Sequence, residues 1–266
     1  MVDLRIQIVN YRTKAFLLEC LPSLFESLDA SADDSVSWEV AVIDNGSGED
    51  LTDLHARFPG RPLEVHQGTD NVGFGGAHNR LARLGQARCL FLLNPDTRML
   101  EPGAPQKLVR ALRASGAQVI GPRLVTPRGT TQRWDHGELH GWIARATLSS
   151  GHSYWRERAT LAQAAWVSGA AFVIDKPWFD RLEGFDERFF LYKEEEELCW
   201  RLRAAGGTVI YEPGIAVFHH CGVVARKSSH LHASTDHFLW KHFRTRRAYP
   251  LFRLANHLLQ RGMPRD

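Results

Sequence analysis

The 266-residue sequence predicts an α/β protein on a central, mostly parallel sheet with helices on both faces. Two observations carry that expectation. Over the first ~100 residues strand-like and helix-like periods alternate, as a parallel sheet with crossover helices requires. Within that region Cys89-Leu90-Phe91-Leu92-Leu93 is an unbroken apolar run bounded by polar residues. Such a run suits a central strand buried on both faces better than a half-exposed one.

The elements follow in order. Leu4 to Val9 alternates and ends in Asn10-Tyr11, giving a first strand. From Lys14, the residues Phe16, Leu17, Cys20, Leu21, Leu24, Phe25 and Leu28 recur at helical spacing. Trp38 to Ile43 is a second strand ending in Asp44-Asn45-Gly46-Ser47, Asp50 to Phe58 a short helix, and Leu63 to His66 a third strand. Asn71-Val72-Gly73-Phe74-Gly75-Gly76 is a glycine-rich turn running into a helix through Leu84. The buried strand then stops at Asn94-Pro95, because proline cannot donate to a ladder. Asp96 is thereby presented at the carboxyl end of a central strand, where open α/β sheets bind ligands.

The second half predicts a helix over Gln106 to Ala114 and a strand over Gln118 to Val125, interrupted by Gly121-Pro122. Residues 126 to 165 show no clean period, which points to a functional loop or mobile lid. Trp166 to Ile174 reads as one strand, Pro177 to Leu182 as a short helix, and Glu194 to Ala205 as a helix stopped by Gly206-Gly207. Thr208 to Tyr211 is a last short strand before Pro213, and Ile215 to Phe218 is strand-like. From His237 to Leu259 large apolar residues alternate with cations at roughly helical spacing, broken at Pro250. That tail is a basic amphipathic C-terminal helical extension. Its plain role is to pack on the domain, and its functional one is salt-sensitive contact with an anionic membrane surface.

Composition narrows the class. An apolar fraction of 44% and a charged fraction of 24% are ordinary for a globular protein, and a net charge of +3 is too mild to argue for nucleic acid. No apolar run approaches the roughly 18 residues of a membrane span. Met1 leads into a strand pattern rather than a signal peptide, so the expected location is cytoplasmic. Cys20, Cys89, Cys199 and Cys221 lack metal-ligand spacing and read as reduced thiols.

Several polar residues stand where chemistry is done, each with a plain alternative. Asp96 can ligate Mg2+ or Mn2+ and so hold a diphosphate, or it can cap the helix after Pro102 or close an Asx turn. Asp44 can accept from a nucleobase imide or a ribose hydroxyl, or close an Asx turn. Gly73, Gly75 and Gly76 resemble a phosphate-binding turn, and helix-packing glycines explain them equally well. Glu194-Glu195-Glu196-Glu197 suits a helix N-terminus, yet the neighbouring Phe189, Phe190 and Tyr192 imply that some of these carboxylates face inward. One with a raised pKa would serve as a general base. In His219-His220 an imidazole can complete a metal shell or touch phosphate, or be structural.

Taken in order, these segments resemble the family 2 inverting glycosyltransferases of GT-A type, particularly the rhamnosyltransferase-like branch. The matching stretches are Ile8-Val9-Asn10-Tyr11, Val42 to Ser47, Asn71 to Gly75, Leu92 to Asp96, Ser168 to Phe172 and Gly184 to Phe190. The match continues through Tyr192 to Arg201 and Tyr211-Glu212-Pro213 to His219, covering about residues 4 to 222. The resemblance implies a transferase domain over 1–225, with a nucleotide-binding half (1–100) and an acceptor-binding, catalytic half (101–225), followed by the extension at 226–266. It implies that Asn10, Asp44, Asn71, Gly73 and Asn94 contact the donor nucleotide, Asp44 reading a uracil or thymine ring of a dTDP- or UDP-sugar. It makes Asp96 and His219 the residues for a divalent metal, Mg2+ or Mn2+, and places Asp186 near acceptor or donor sugar. Glu195 falls on the catalytic base, with Glu194 beside it. The implied reaction moves a sugar, L-rhamnose among the candidates, to a glycan or lipid-linked acceptor at the inner membrane face.

Three departures from the family pattern involve four positions. Asn94 replaces a first Asp, Glu195 and Glu197 stand where Asp is usual, and Val224 stands where a serine is frequent. Two other readings stay open on sequence: a nucleotidyltransferase, and a degenerate transferase domain that only binds sugar or protein.

Overall fold

The structure is a computed structural model describing residues 1–31, 35–149, 151–221 and 227–261. Val224, Arg265, the side chains of Leu259 and Arg261, and the expected boundary after residue 225 lie outside the described residues.

The first half alternates as expected: β1 (Val2–Asn10), α1 (Lys14–Asp29), β2 (Trp38–Asp44), α2 (Leu54–Arg57), β3 (Leu63–Gln67), α3 (Gly73–Leu84) and β4 (Ala87–Leu93). The second half comprises β5 (Thr97–Met99), α4 (Ala104–Ser115), β6 (Val119–Val125), β7 (His136–Glu138), α5 (Trp142–Ser149) and β8 (Ala162–Val167). It continues with β9 (Ala171–Asp175), α6 (Lys176–Arg181), α7 (Glu194–Ala204), β10 (Val209–His219), α8 (Lys227–Phe243) and α9 (Tyr249–Arg261). The sheet order is β3-β2-β1-β4-β9-β6-β10-β8-β7, with β5 added to β10. Pairing directions make β1, β2, β3, β4, β6, β7 and β10 point one way, and β5, β8 and β9 the other. The central sheet is therefore mostly parallel, and its carboxyl ends share one edge.

Burial on both faces explains the centre. Leu90, Phe91, Leu92 and Leu93 of β4 have no exposure. Burying each such side chain stabilises by roughly 1.5–3 kcal/mol. On β1, Leu4, Ile6 and Ile8 meet Leu17, Leu21 and Leu24 of α1. The alternate residues Arg5 and Gln7 are equally buried. They are tolerated because each has partners: Arg5 pairs with Glu39 and with Glu64 (2.6 Å), and Gln7 with His78 of α3 (3.1 Å). Burial pushes His78 down to about 3, so the imidazole is neutral.

Four expectations need correction. Gly121-Pro122 does not interrupt β6, because β10 bulges between Glu212 and Ala216 beside the missing proline donor. The pieces at 208–211 and 215–218 are accordingly one strand. Trp166 to Ile174 is two strands reversing at Ser168-Gly169-Ala170, and β9 inserts antiparallel between β4 and β6. The apolar run hides that reversal from any period. The segment 126–165 carries β7 and α5 and a buried polar centre rather than a bare loop. There Asp135 accepts from His136 Nδ1 (2.8 Å), Trp155 Nε1 (2.9 Å) and Tyr211 Oη (2.7 Å). The tail does break into two helices, but the break falls at 244–248 and Pro250 sits in the first turn of α9, where no proline N–H is needed.

The extension docks on the domain. Phe238, Leu239 and Phe243 of α8 cluster with Phe189, and Trp200 and Phe252 pack against them. Lys241 bonds both Asp186 (2.7 Å) and Glu197 (2.5 Å). On α9, Asn256 donates to Asp236 (2.7 Å), while Leu251, Leu254 and Leu258 remain 67%, 55% and 58% exposed. No described helix is long and apolar enough to cross a membrane. All four cysteines are free thiols.

Candidate active site

A cavity of about 430 Å³ opens along the carboxyl edge of the sheet. Its floor and one wall come from the ends of parallel strands: Tyr11 and Thr13 after β1, Asn45 after β2, Asn71, Gly73 and Phe74 at the start of α3, and Asn94 and Pro95 after β4. The other wall is Phe190 and Leu191 before α7, with His230 of α8. Gly73 is required where it stands. Its φ is +78°, and a Cβ there would lie 2.3 Å from the Phe190 carbonyl oxygen, which accepts from Phe74 N (3.0 Å).

Asn71, Gly73 and Asn94 thus line the cavity, while Asn10 and Asp44 lie behind it. Asp44 is fully buried, and its carboxylate accepts from Asn10 Nδ2 (2.9 Å), Ser47 N (2.9 Å), Gly48 N (3.3 Å), Gln67 Nε2 (2.9 Å) and the Ser47 hydroxyl. Reading a base with Asp44 would require one of these bonds to be exchanged. The next residue, Asn45, reaches the cavity wall instead, where its Nδ2 donates to Asn71 Oδ1 (2.9 Å).

The chain after β4 builds the second feature. Asn94 N donates to Ala170 O (2.8 Å), Thr97 Oγ1 donates to Asn94 O (2.7 Å), and β5 pairs with the end of β10, Thr97 opposite His219. That register sets Asp96 Oδ1 3.3 Å from His219 Nε2. Asp96 is 3% exposed, and its Oδ1 makes no hydrogen bond. Gln132 Oε1 lies 2.7 Å from His219 Nδ1, which as donor leaves Nε2 turned to the carboxylate. Burial opposes a charge on His219, yet the Asp96 carboxylate beside it raises it to about 9, and a cation bound at Nε2 would displace that proton.

A carboxylate oxygen without a hydrogen-bond partner beside an oriented imidazole fits a divalent cation of Mg2+ or Mn2+ type. Among the described residues no cluster of three or more His, Cys, Asp or Glu side chains could hold a metal alone. Phosphate oxygens of a substrate would have to complete the shell, as is common for these ions.

The third feature is the acidic start of α7. Tyr192 and Lys193 both hold left-handed backbone, φ 69° and 72°, just before it. The four glutamates then diverge. Glu196 is taken by Lys193 Nζ (2.8 Å) and Ser153 Oγ (2.8 Å). Glu197, fully buried, is ringed by Arg201 (2.8 Å), Lys241 (2.5 Å) and His242 (3.2 Å); burial would raise it, but the hydrogen bond with His242 and the charges of Arg201 and Lys241 hold it below the usual carboxylate range. Glu194 and Glu195 form no ion pair among the described residues. Burial, reinforced by the charge of Glu196, pushes Glu195 up to about 7. Burial and then Glu195 raise Glu194 well above its ordinary value. The Glu195 carboxyl carbon stands 3.7 Å from the place of a Cβ on Gly169, and that Cβ would also crowd Phe74 of the cavity wall (3.3 Å). The turn between β8 and β9 therefore joins Glu195 to the segment that carries Asp96, with Gly169 against Glu195 and Ala170 bonded to Asn94.

Asp186 is placed elsewhere. Burial would raise it, but hydrogen bonds from Arg188 (2.6 Å) and Lys241 (2.7 Å) hold it far below the usual range, and it anchors α8.

The sequence profile of glycosyl transferase family 2 matches residues 6–182. The chain belongs to glycosyltransferase family 2. This transferase is 28% identical over 224 residues to an N-acetylglucosaminyl-diphospho-decaprenol L-rhamnosyltransferase of Mycobacterium tuberculosis, covering 75% of this chain and 71% of the relative. It is 24% identical over 210 residues to the low-salt glycan biosynthesis hexosyltransferase Agl10 of Haloferax volcanii, covering 76% and 62%. Among solved structures, GalNAc-T7 with UDP, GalNAc and Mn2+ superposes with a TM-score of 0.72 at 12% identity, covering 99% of this chain; the chain spans about half of that protein, 52%. The mannosyltransferase PcManGT from Pyrobaculum calidifontis, with GDP-Man and Mn2+, gives 0.61 at 15% identity, covering 97% and 72%. These structural likenesses establish the GT-A fold.

Sequence reasoning missed several residues of the transferase's site. Asn45 was within a matched stretch, one position after the residue singled out. Gln132 and His230 carried no signal, because the first lies in an aperiodic segment and meets His219 only through the β6–β10 pairing. The second reaches the cavity only because α8 folds back.

Proposed function

We propose that this transferase moves a sugar from a dTDP- or UDP-linked donor to a hydroxyl of a glycan or lipid-linked acceptor, with inversion at the anomeric carbon. The observation that carries this reading is the β8–β9 turn that ties two unlike acids together, Gly169 abutting Glu195 and Ala170 accepting from Asn94 two residues before Asp96. Asp96 lies with His219 on the metal side, and the unpaired Glu195, near neutrality, lies on the other. The named activity of the Mycobacterium relative supports L-rhamnose as the sugar and a diphospho-lipid as the acceptor's carrier.

In this mechanism Asn45, Asn71 and Asn94 hold the nucleotide and sugar by hydrogen bonds in the cavity. Asp96 and His219 would hold the divalent cation, which when bound supplies positive charge toward the departing diphosphate. Glu195 takes the proton of the acceptor hydroxyl as its oxygen attacks the anomeric carbon from the face opposite the leaving group. One base suffices for a single displacement, so Glu196, Glu197 and Asp186 are free to serve the fold. We also propose peripheral contact with an anionic membrane through α9, supported by its exposed leucines and the surrounding arginines.

Asp96→Asn tests the reading. Calorimetric titration with dTDP and UDP, with and without Mn2+, should show that the variant loses the metal-dependent part of binding while its melting temperature stays near the parent's. Metal-dependent titration equal to the parent's would remove Asp96 from the site.

A further inference from the structure

Residues 131–135 run along the carboxyl end of β6, where Gln132 N donates to Leu124 O (2.8 Å). The segment is tied to both chemical walls of the site. At one end Gln132 meets His219 (2.7 Å). At the other the Asp135 carbonyl accepts from Ser168 N (2.9 Å), next to the Gly169 that abuts Glu195, and the Asp135 carboxylate is gripped by His136, Trp155 and Tyr211. Between these anchors stands Trp134, with a φ of +66° and 44% of its surface exposed.

That combination works against folding twice. Left-handed backbone is unfavourable for a residue with a Cβ, a cost that glycine escapes. A large aromatic ordinarily offsets such costs by burial, and nearly half of this indole stays in water. Strain of this kind persists where the surroundings over-determine it, and both flanks of Trp134 are fixed. The donor cavity lies at the ends of β1, β2 and β4, whereas Trp134 follows the end of β6, on the segment that meets His219 through Gln132.

We propose that Trp134 is the platform of an acceptor subsite, its indole face stacking on the apolar face of a pyranose ring of the acceptor. So held, the ring presents its hydroxyl toward Glu195. This subsite rests on the transferase reading above and adds to it the element that recognises the acceptor sugar.

The test uses the full chain with dTDP-L-rhamnose, Mn2+ and, as acceptor probe, N-acetylglucosamine diphosphate on a short prenyl chain. Trp134→Ala should raise the KM for the probe at least ~10-fold, with kcat within a few-fold and calorimetric affinity for dTDP with Mn2+ unchanged. Trp134→Phe should recover most of the loss. Trp134→Gly, freed of the left-handed penalty, should lose the probe as the alanine variant does while melting at or above the parent's temperature. An unchanged probe KM in Trp134→Ala overturns the subsite and leaves the transferase reading standing. A clear fall in melting temperature for Trp134→Gly overturns it too, by assigning the indole to the fold. A parent chain that binds neither dTDP nor UDP in the presence of Mn2+ refutes the donor reading, and the subsite with it.

Discussion

Glu195 and Glu197 start the same helical turn and meet opposite electrostatics. Glu197 is surrounded by Arg201, Lys241 and His242, whereas Glu195 has burial and the charge of Glu196 against it. Because its folded pKa of about 7 exceeds the ordinary 4.5, Glu195 favours the fold in its protonated form. That contribution is complete below pH 4.5 and is lost as pH rises through about 7. Glu195→Gln mimics the protonated acid at every pH. It should lose transfer by at least ~100-fold while keeping donor affinity. Calorimetric melting should show it more stable than the parent by on the order of 3 kcal/mol at pH 8, with little difference near pH 4. The parent's kcat should climb through about pH 7. A stability gap equal at both pH values would show that Glu195 does not titrate in this range. The acidic run was legible in the sequence as partly inward-facing. Which glutamate stays free was not, because the cations that neutralise Glu197 come partly from α8, more than forty residues later.

At the scale of elements, α8 is held by one cation shared between two buried acids, Lys241 between Asp186 and Glu197. Lys241→Ala should destabilise by about 1–3 kcal/mol, since Arg188 and Arg201 still answer the two carboxylates. Asp186 and Glu197 both have depressed folded pKa values, so their contribution is present above the ordinary carboxylate range and lost as pH falls below it. The deficit of Lys241→Ala in urea unfolding should accordingly be full at pH 7 and shrink at pH 3; an equal deficit at both would assign it to lost packing alone. The sequence made legible those elements whose period is local, from β1 through β4 and α7. It merged β8 with β9 because both are apolar across the turn. It split β6 and β10, because the bulge that accommodates Pro122 lies in the partner strand.

At the scale of the molecule, charge and apolar exposure coincide at the C-terminal end. Between residues 227 and 261 Asp236 is the sole acid, and Arg244, Arg246, Arg247 and Arg253 are exposed near the open leucines of α9. Each such cation near an anionic surface adds on the order of 1 kcal/mol. The chain should therefore float with anionic liposomes at low salt, be released by high salt, and lose flotation when Leu254→Glu and Leu258→Glu are combined. Equal flotation with zwitterionic liposomes, or none with anionic ones, would count against this surface. The fold class was legible because the parallel half of the sheet is built from neighbours in sequence. The antiparallel insertion of β9 was not, since nothing near residues 171–175 says that β4 and β6 leave room between them.

That insertion also sets an order of assembly. As the chain is synthesised, β4 emerges with β1 on one side and an open edge on the other, and the strand that fills the gap follows about eighty residues later. Until then, β4 exposes unpaired backbone and a strongly apolar run, the features of an aggregation-prone edge. Asn94 also lacks the Ala170 carbonyl that fixes the turn into Asp96. The Asp96 and Glu195 sides of the proposed site therefore mature together, late, in one long-range closure. A nascent or truncated chain ending before Asp175 would hold neither half of the chemistry in place and would depend on chaperones to remain soluble.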